Sequence, residues 1–368
     1  MEQMTFFEEL GKFNPNLRVH ESNDWKWTFA DYPEPENIKV FSCFACGGGS
    51  TMGYKLCGCQ VLGDLEIDPR MNEVYIANHH PRFNYLMDIR EFNKLEDLPP
   101  ELYHLDILDG SPPCTTFSVS GKREESWGVK KKFREGQADQ TLDDLSFVFI
   151  ETAKKLKPKM VIMENVEGLL LGEAWKYVQR IYESFDNAGY SVRHYLLKGE
   201  SLGVPQTRHR VFFVAARKDL IFDFEKLDMN FNYLPVTYGQ IKSGTGKELN
   251  HNTVLYKWLC KAAPCDKRIS DTIVRNGEKE KLFNHRICWD ENVMQTIAAA
   301  GSILRGQEKT QVSEQDIISA QTFPQDYDFG TQSAKYICGM SVPPLMIKRL
   351  VTRIKETGIF DPERTKTT

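Results

Sequence analysis

The sequence predicts an α/β fold built on a parallel sheet, followed by a smaller irregular region. Three observations carry this. Short apolar runs of strand length alternate with amphipathic helical stripes between residues 38 and 216. A glycine cluster, Gly47-Gly48-Gly49, follows the first run, where a strand would turn into a helix. After Arg217 the alternation fades into short segments rich in Asn, Gly and Lys.

The elements follow in order. Residues 1–36 end in Asp31-Tyr32-Pro33-Glu34-Pro35-Glu36, whose prolines and acidic charge read as the end of an N-terminal extension. Ile38 to Phe44, Val61 to Ile67, Leu105 to Leu108 and Met160 to Met163 are compact apolar runs of the kind buried parallel strands show. Leu142, Leu145, Phe149, Thr152 and Leu156 recur at steps of three and four and predict a helix that Pro158 stops. Val178, Ile181 and Phe185 make a second stripe, with Gly189 as its natural terminator. Tyr190 to Leu197 and Arg210 to Ala216 read as further strands, joined into right-handed βαβ units. A last helix starts at Pro343-Pro344, carries Leu345, Ile347, Leu350 and Ile354, and ends before Gly358.

Composition narrows the class. The 368 residues are 41% hydrophobic and 27% charged, which excludes a disordered tail, a collagen repeat and a coiled coil. Apolar runs fall far short of the ~18 residues of a membrane span, so no membrane role is expected. The first residues lack the basic and apolar preamble of a secretory signal, and nine scattered cysteines suit a reducing compartment, so a cytoplasmic protein is expected. The net charge is −4, so any nucleic-acid contact must be local. Residues 217–310 hold 15 Lys and Arg against 12 Asp and Glu, a net +3 inside an acidic protein.

Four segments carry candidate chemistry. The glycine loop offers main-chain N–H groups and a helix N-terminus to a ligand, and Glu66, 19 residues after Gly47, could accept two ribose hydroxyls. Asp88 ends the next segment, where an amino group of an adenine could bind. The dinucleotide spacing fails, because its third glycine position is Met52 and Gly53 comes one residue late. Asp109-Gly110-Ser111-Pro112-Pro113-Cys114 would hold a thiol on a stiff turn at the carboxyl edge of the sheet. Glu164-Asn165-Val166 puts a carboxylate at the end of an apolar strand, where desolvation favours its protonated form. Gln206-Thr207-Arg208-His209-Arg210 precedes another strand, with two arginines facing one way.

Taken in order, Phe44-Ala45-Cys46-Gly47-Gly48-Gly49, Glu66, Asp88-Ile89, Ser111-Pro112-Pro113-Cys114, Glu164-Asn165-Val166, Gln206-Thr207-Arg208-His209-Arg210 and Gly339-Met340-Ser341-Val342-Pro343-Pro344 resemble the cytosine-C5 DNA methyltransferases. The resemblance runs from about residue 38 to residue 355, and it is the ordered set that is specific. It implies a Rossmann-like S-adenosylmethionine-dependent catalytic domain with a smaller irregular target-recognition domain. The expected division is an extension at 1–36, a catalytic domain at 37–216, a recognition domain at 217–310 and a returning segment at 311–368.

The resemblance also implies roles. Phe44, Ala45, Cys46, Gly47, Gly48 and Gly49 would hold the methionine part of S-adenosylmethionine, and Glu66 the ribose. Ile67 would pack on the adenine, and Asp88 and Ile89 would meet its edge. Asp109, Pro112, Leu145, Ser341 and Val342 would complete the cofactor site. Cys114 would add to C6 of the cytosine, with Glu164, Arg208 and Arg210 assisting at the base. Ser118, Lys122, Arg123, Gln206, Arg286, Thr296 and Ile297 would contact double-stranded DNA, with the target base flipped out of the stack. A monomer near the nucleoid is expected, with a cognate restriction endonuclease as a candidate partner.

Several positions depart from the family pattern. Cys46 stands where the first loop glycine is usual, a position that needs an unusual φ. Leu142-Asp143, Thr115, Met340 and Gln315-Asp316 also differ, but none is the thiol, the acid or an arginine. Three rivals accompany the main reading. They are the same reaction on tRNA, a catalytically silent DNA-binding homologue, and a zinc site at Cys43, Cys46, Cys57 and Cys59. The short spacing between the cysteine pairs disfavours the last, and no metal is expected.

Overall fold

The computed structural model describes residues 17–19, 24–113 and 144–361. The chain divides into two compact units. One consists of Pro33–Leu197, His209–Met229 and Leu350–Thr368. The other consists of Met1–Tyr32, Lys198–Arg208 and Asn230–Arg349.

The first unit is organised by a seven-stranded sheet. Its strands are β1 (Lys39–Cys43), β2 (Gln60–Glu66), β3 (Phe83–Leu86), β4 (Ile107–Gly110), β5 (Met160–Val166), β6 (Tyr190–Lys198) and, after the short β7 (Gln206–Thr207) of the other unit, β8 (His209–Arg217). The order across the sheet is β3-β2-β1-β4-β5-β8-β6. β1 pairs in parallel with β2 and β4, β2 with β3, and β4 with β5. Every residue from Val40 to Cys43 and from Met160 to Asn165 is buried, and successive side chains face opposite ways, so both faces are covered.

Helices connect the parallel strands: α1 (Gly49–Lys55), α2 (Pro69–His79), α3 (Ile89–Lys94), α4 (Leu145–Leu156) and α5 (Trp175–Asn187). In α4 the buried set is Leu145, Ser146, Phe149, Ile150, Thr152, Ala153 and Leu156, which includes Leu145, Phe149, Thr152 and Leu156 of the expected stripe; Leu142 lies outside the described residues. Lys157 then takes a left-handed φ of 54° before Pro158, which bars the helical region to the residue ahead of it. In α5 Tyr177, Val178, Ile181 and Phe185 are buried, and Gly189 at φ 90° follows its end. Gly110 must be glycine, because a Cβ there would lie 2.4 Å from the Phe149 ring.

One strand departs from expectation. β8 runs antiparallel to β5, with Val166 opposite Arg210 and Glu164 opposite Phe212. Parallel neighbours need a crossover of a dozen or more residues, usually with a helix. The 199–208 connection before β8 holds only a 3-10 turn and the two residues of β7.

The second unit is built from short pieces, as the fading periodicity implied. They are α6 (Tyr238–Ile241), α7 (Val254–Leu259), α8 (Ile269–Arg275), β9 (Arg286–Cys288), β10 (Met294–Gln295), β11 (Ile303–Arg305), α9 (Glu314–Ala320) and α10 (Ala334–Met340), with α11 (Pro344–Glu356) running across the division. Trp258, Leu259, Ile269, Ile273, Ile287, Trp289 and Leu304 form one apolar cluster. A second centre is ionic. Arg305, 1% exposed, pairs at 2.7 Å with Asp316, which also accepts the Tyr238 hydroxyl at 2.5 Å. No helix among the described residues is long and apolar enough to cross a membrane.

Candidate active site

The glycine loop leaves β1 in a contorted path. Phe44, Cys46 and Gly48 all have left-handed φ values of 57°, 47° and 78°. Two of these carry side chains, so the loop holds backbone strain of about 1–2 kcal/mol per residue. Neighbouring strand ends hold it in place. Phe44 N donates to Leu65 O at 2.8 Å, and Cys46 N donates to Glu66 Oε2 at 2.8 Å. Cys46 thus adopts the conformation that a glycine would take easily.

Glu66 ends β2 with its carboxylate fixed by three main-chain amides, those of Cys46, Ile67 and Asp68. Burial pushes this carboxyl above its ordinary value although the amides oppose the shift. Beside it Ile67 is 36% exposed, an apolar side chain left open at the carboxyl edge. Asp88 caps α3 and shares its carboxylate with Arg90 at 3.2 Å. Ile89 is buried in the core, so only its main chain can line a ligand site. Leu145 likewise belongs to the core.

Asp109, the next-to-last residue of β4, is fully enclosed. It accepts hydrogen bonds from Ser42 Oγ at 2.8 Å and Tyr54 Oη at 3.0 Å. Burial pushes its carboxyl up to about 7 against those hydroxyl donors. Asp109 therefore braces the base of the turn through Pro112 and does not face outward. Cys114, Ser118, Lys122 and Arg123 lie outside the described residues. The turn before Cys114 meets the end of β5, where Asn165 Nδ2 donates to Pro112 O at 3.5 Å.

Glu164 is buried at the carboxyl end of β5, and Arg210 Nε approaches its Oε1 at 2.8 Å. Antiparallel pairing makes them diagonal neighbours on one face. The reversal of β8 is what brings its first residues to this edge, since a parallel strand would start at the opposite one.

In the other unit, Gln206, Arg208, Thr296 and Ile297 come together. Gln206 Nε2 donates to Ala320 O and Gln321 Oε1, and its Oε1 accepts the Ile297 amide. Thr296 Oγ1 donates to Thr207 O at 2.5 Å. Arg208 donates from Nη1 to Ile297 O and from Nη2 to Gly339 O, both at 3.2 Å. Gln206 and Ile297 were expected to meet DNA, yet both are fully buried and their polar groups bind protein. Arg208, 2% exposed, donates to these main-chain carbonyls.

Arg286 is half-buried, and burial and nearby Arg268 hold it below its ordinary value. That suits a cation placed for an anion. Val342 and Ser341 are buried, and Ser341 Oγ makes no hydrogen bond among the described residues. A buried hydroxyl left so suits a polar ligand.

Sequence reasoning missed Ser42, Tyr54, Arg268 and His79. Ser42 sits in an apolar run and Tyr54 on helix α1, and neither belongs to a motif, although a polar residue inside a buried strand, as Ser42 is, is itself a signal. A cavity of about 340 Å³ at the opposite edge is lined by Lys39, Asp106, Lys159 and Arg217. There Lys159 pairs with Asp106 at 2.8 Å and Arg217 with Asp219 at 2.6 Å, so its charges are largely spent.

The family model for C-5 cytosine-specific DNA methylase matches residues 38–356. The chain is 32% identical over 187 residues to the type II methyltransferase M.NgoPII of Neisseria gonorrhoeae, which is 51% of this chain and 50% of that protein. It is 33% identical over 189 residues to M.FnuDI of Fusobacterium nucleatum, again 51% and 50%. These matches span about half the length of each relative. M.Sau96I of Staphylococcus aureus is 27% identical over 337 residues, covering 85% of this chain and 74% of that protein. The fold is shared with the DNMT2 of Spodoptera frugiperda, at a TM-score of 0.59 and 16% identity over 87% of this chain and 100% of that one. It is also shared with the S. pombe Dnmt2 methyltransferase, at a TM-score of 0.56 and 11% identity over 87% and 99%. The chain belongs to the C-5 cytosine-specific DNA methylase family.

Proposed function

We propose that the chain is a DNA (cytosine-5-)-methyltransferase acting on double-stranded DNA with S-adenosylmethionine. The observation that carries the reading is the Glu164–Arg210 pair at the carboxyl edge of the sheet. It stands beside the Pro112 turn that leads to Cys114.

The residues fit that cofactor. Glu66 presents an oriented, buried carboxylate to a ribose diol, and Ile67 offers exposed apolar surface to an adenine ring. The loop from Phe44 to Gly49 would hold the methionine end. When bound, S-adenosylmethionine supplies an electrophilic methyl group on a sulfonium.

The chain's residues supply the rest. C5 of cytosine is a poor nucleophile while the ring is aromatic. Addition of the Cys114 thiolate to C6 breaks the aromaticity and makes C5 nucleophilic. Glu164 would hydrogen-bond N3 and the exocyclic amino group, stabilising the charge pushed into the ring. Arg210 fixes the Glu164 carboxylate for that task. After C5 is methylated, loss of its proton to water or another base returns the electrons and expels the Cys114 sulfur. The base must first leave the duplex, at a cost of a few kcal/mol. Arg286, with Arg268, would bind backbone phosphate. Arg208 and Gln206 would act indirectly, by holding Thr296 and Ile297 in place.

Several relatives are named type II methyltransferases, which makes a companion restriction endonuclease a candidate partner. The test is transfer of labelled methyl from S-adenosylmethionine to duplex DNA and to tRNA. Label in DNA is expected. Label only in tRNA moves the substrate to RNA, and no label in either overturns the reading.

A further inference from the structure

We propose that His79 is a positioning residue for the glycine loop, setting the affinity for S-adenosylmethionine without touching the methyl group. The inference rests on the function proposed above.

His79 is the last residue of α2 and is 5% exposed. Its Nε2 lies 3.2 Å from Gly47 O. A carbonyl oxygen can only accept, so the ring must carry its proton on Nε2. The contact fixes the plane of the Gly47–Gly48 peptide. With Gly47 O turned to the imidazole, the N–H on the other side of that trans peptide points to Ala45 O, which it meets at 2.8 Å.

The ring also fills the space that keeps Gly48 a glycine. A Cβ at Gly48 would lie 2.0 Å from His79 Nε2 and 2.4 Å from Cδ2, at a φ of 78° that already disfavours side chains. The imidazole is held in turn. Tyr75 packs against it edge-on at 4.6 Å, and the Tyr75 hydroxyl is 2.8 Å from Thr51 Oγ1 on α1. Lys55 Nζ, also on α1, donates to the His79 carbonyl at 3.1 Å. Burial pushes the imidazole down to about 3, so it stays neutral and keeps a single N–H at any working pH.

The same helix begins at the other cofactor contact. Asp68, the N-cap of α2, donates its amide to Glu66 Oε1 at 2.9 Å. One rigid element therefore carries both the brace of the ribose carboxylate and the brace of the loop. Loss of the His79 contact would free the loop while leaving Glu66, Glu164 and Arg210 in place. The defect should appear in cofactor binding and not in the chemical step.

The test uses the full chain as wild type, His79→Ala, His79→Gln and His79→Phe. Cofactor affinity is measured by calorimetry, and kcat and KM for S-adenosylmethionine are measured with duplex DNA. His79→Ala should raise Kd and KM about tenfold, worth about 1.4 kcal/mol. Its kcat at saturating cofactor should stay within about twofold of wild type. His79→Gln keeps an N–H at similar reach and should recover most of the affinity. His79→Phe keeps the ring volume and should recover only part. A merely structural role would instead lower kcat through a smaller folded fraction and leave KM unchanged, and that result overturns the proposal. Equal affinity in wild type and His79→Ala overturns it too. If His79→Ala does not fold, the order of Gln above Phe decides, and equal values refute the donor role. A wild type that binds no S-adenosylmethionine overturns the proposed function itself, and this inference with it.

Discussion

Removing Arg210 should damage stability and chemistry together, because one contact serves both. Its Nε sits 2.8 Å from Glu164 Oε1, and the two side chains are only 16% and 11% exposed. In Arg210→Ala the Glu164 carboxylate keeps its burial and loses its cation. Breaking a fully buried pair by deleting one partner costs about 3–5 kcal/mol, and the residual exposure here lowers the expectation to about 2–4 kcal/mol. Glu164→Gln removes the charge but strands the arginine, so it should cost somewhat less, about 1–3 kcal/mol. The double variant Glu164→Gln/Arg210→Ala strands neither charge, and its loss should fall short of the sum by at least about 1.5 kcal/mol. The stability assay is urea unfolding followed by circular dichroism at neutral pH. In parallel, methyl transfer by Arg210→Ala should fall about 10- to 100-fold in kcat, since a mispositioned acid loses the alignment on which its contribution depends. An Arg210→Ala protein within about 0.5 kcal/mol of wild type, together with strict additivity in the double variant, would show that the two side chains are not a coupled buried pair.

Two further outcomes follow from the same geometry. At Cys46, with its φ of 47°, substitution by glycine should be tolerated, whereas Cys46→Val should lower stability by about 1–3 kcal/mol and weaken cofactor binding, as thermal melting and calorimetry would check. Asp109, whose carboxyl is raised from 3.8 to about 7, makes the native state hold a proton that the unfolded chain has released. Its contribution is therefore present in full below pH 4 and falls as the pH rises through 7, by up to about 4 kcal/mol, and Asp109→Asn should flatten that part of the stability profile measured by urea titration.

The sheet was legible because its strands are buried on both faces and so appear as unbroken apolar runs. Met160 to Met163 and Val211 to Ala216 can be read directly as such strands. The direction of β8 was not legible. Nothing in its apolar run distinguishes a strand that follows a crossover helix from one that simply turns back. The missing signal was the 199–208 connection, too short and irregular for a crossover. In the proposed site that reversal matters, since it sets Arg210 beside Glu164.

At the candidate site, residues at strand ends can be read from the order of the motifs, and residues that act through others cannot. The order of Gly47, Glu66, Pro112 and Glu164 along the chain follows the strand ends, which a sequence displays. Burial within a motif is invisible to spacing. Gln206 and Arg208 stand in a motif with charged neighbours and looked like ligand contacts, yet their side chains close on Ile297, Ala320 and Gly339. His79 shows the reverse. It ends an ordinary helix and meets Gly47, 32 positions earlier, only after folding.

The most direct measurement is a covalent trap. Full-length protein is incubated with S-adenosylmethionine and a duplex carrying 5-fluorocytosine at its methylation target, a site located first by bisulfite sequencing of DNA from expressing cells. Fluorine at C5 cannot leave as a proton would, so the sulfur cannot depart. A denaturation-resistant protein–DNA adduct, mapped by peptide mass to Cys114 and absent in Cys114→Ser, is the expected result. A methylated product formed with no adduct, or an adduct on another residue, would contradict the account.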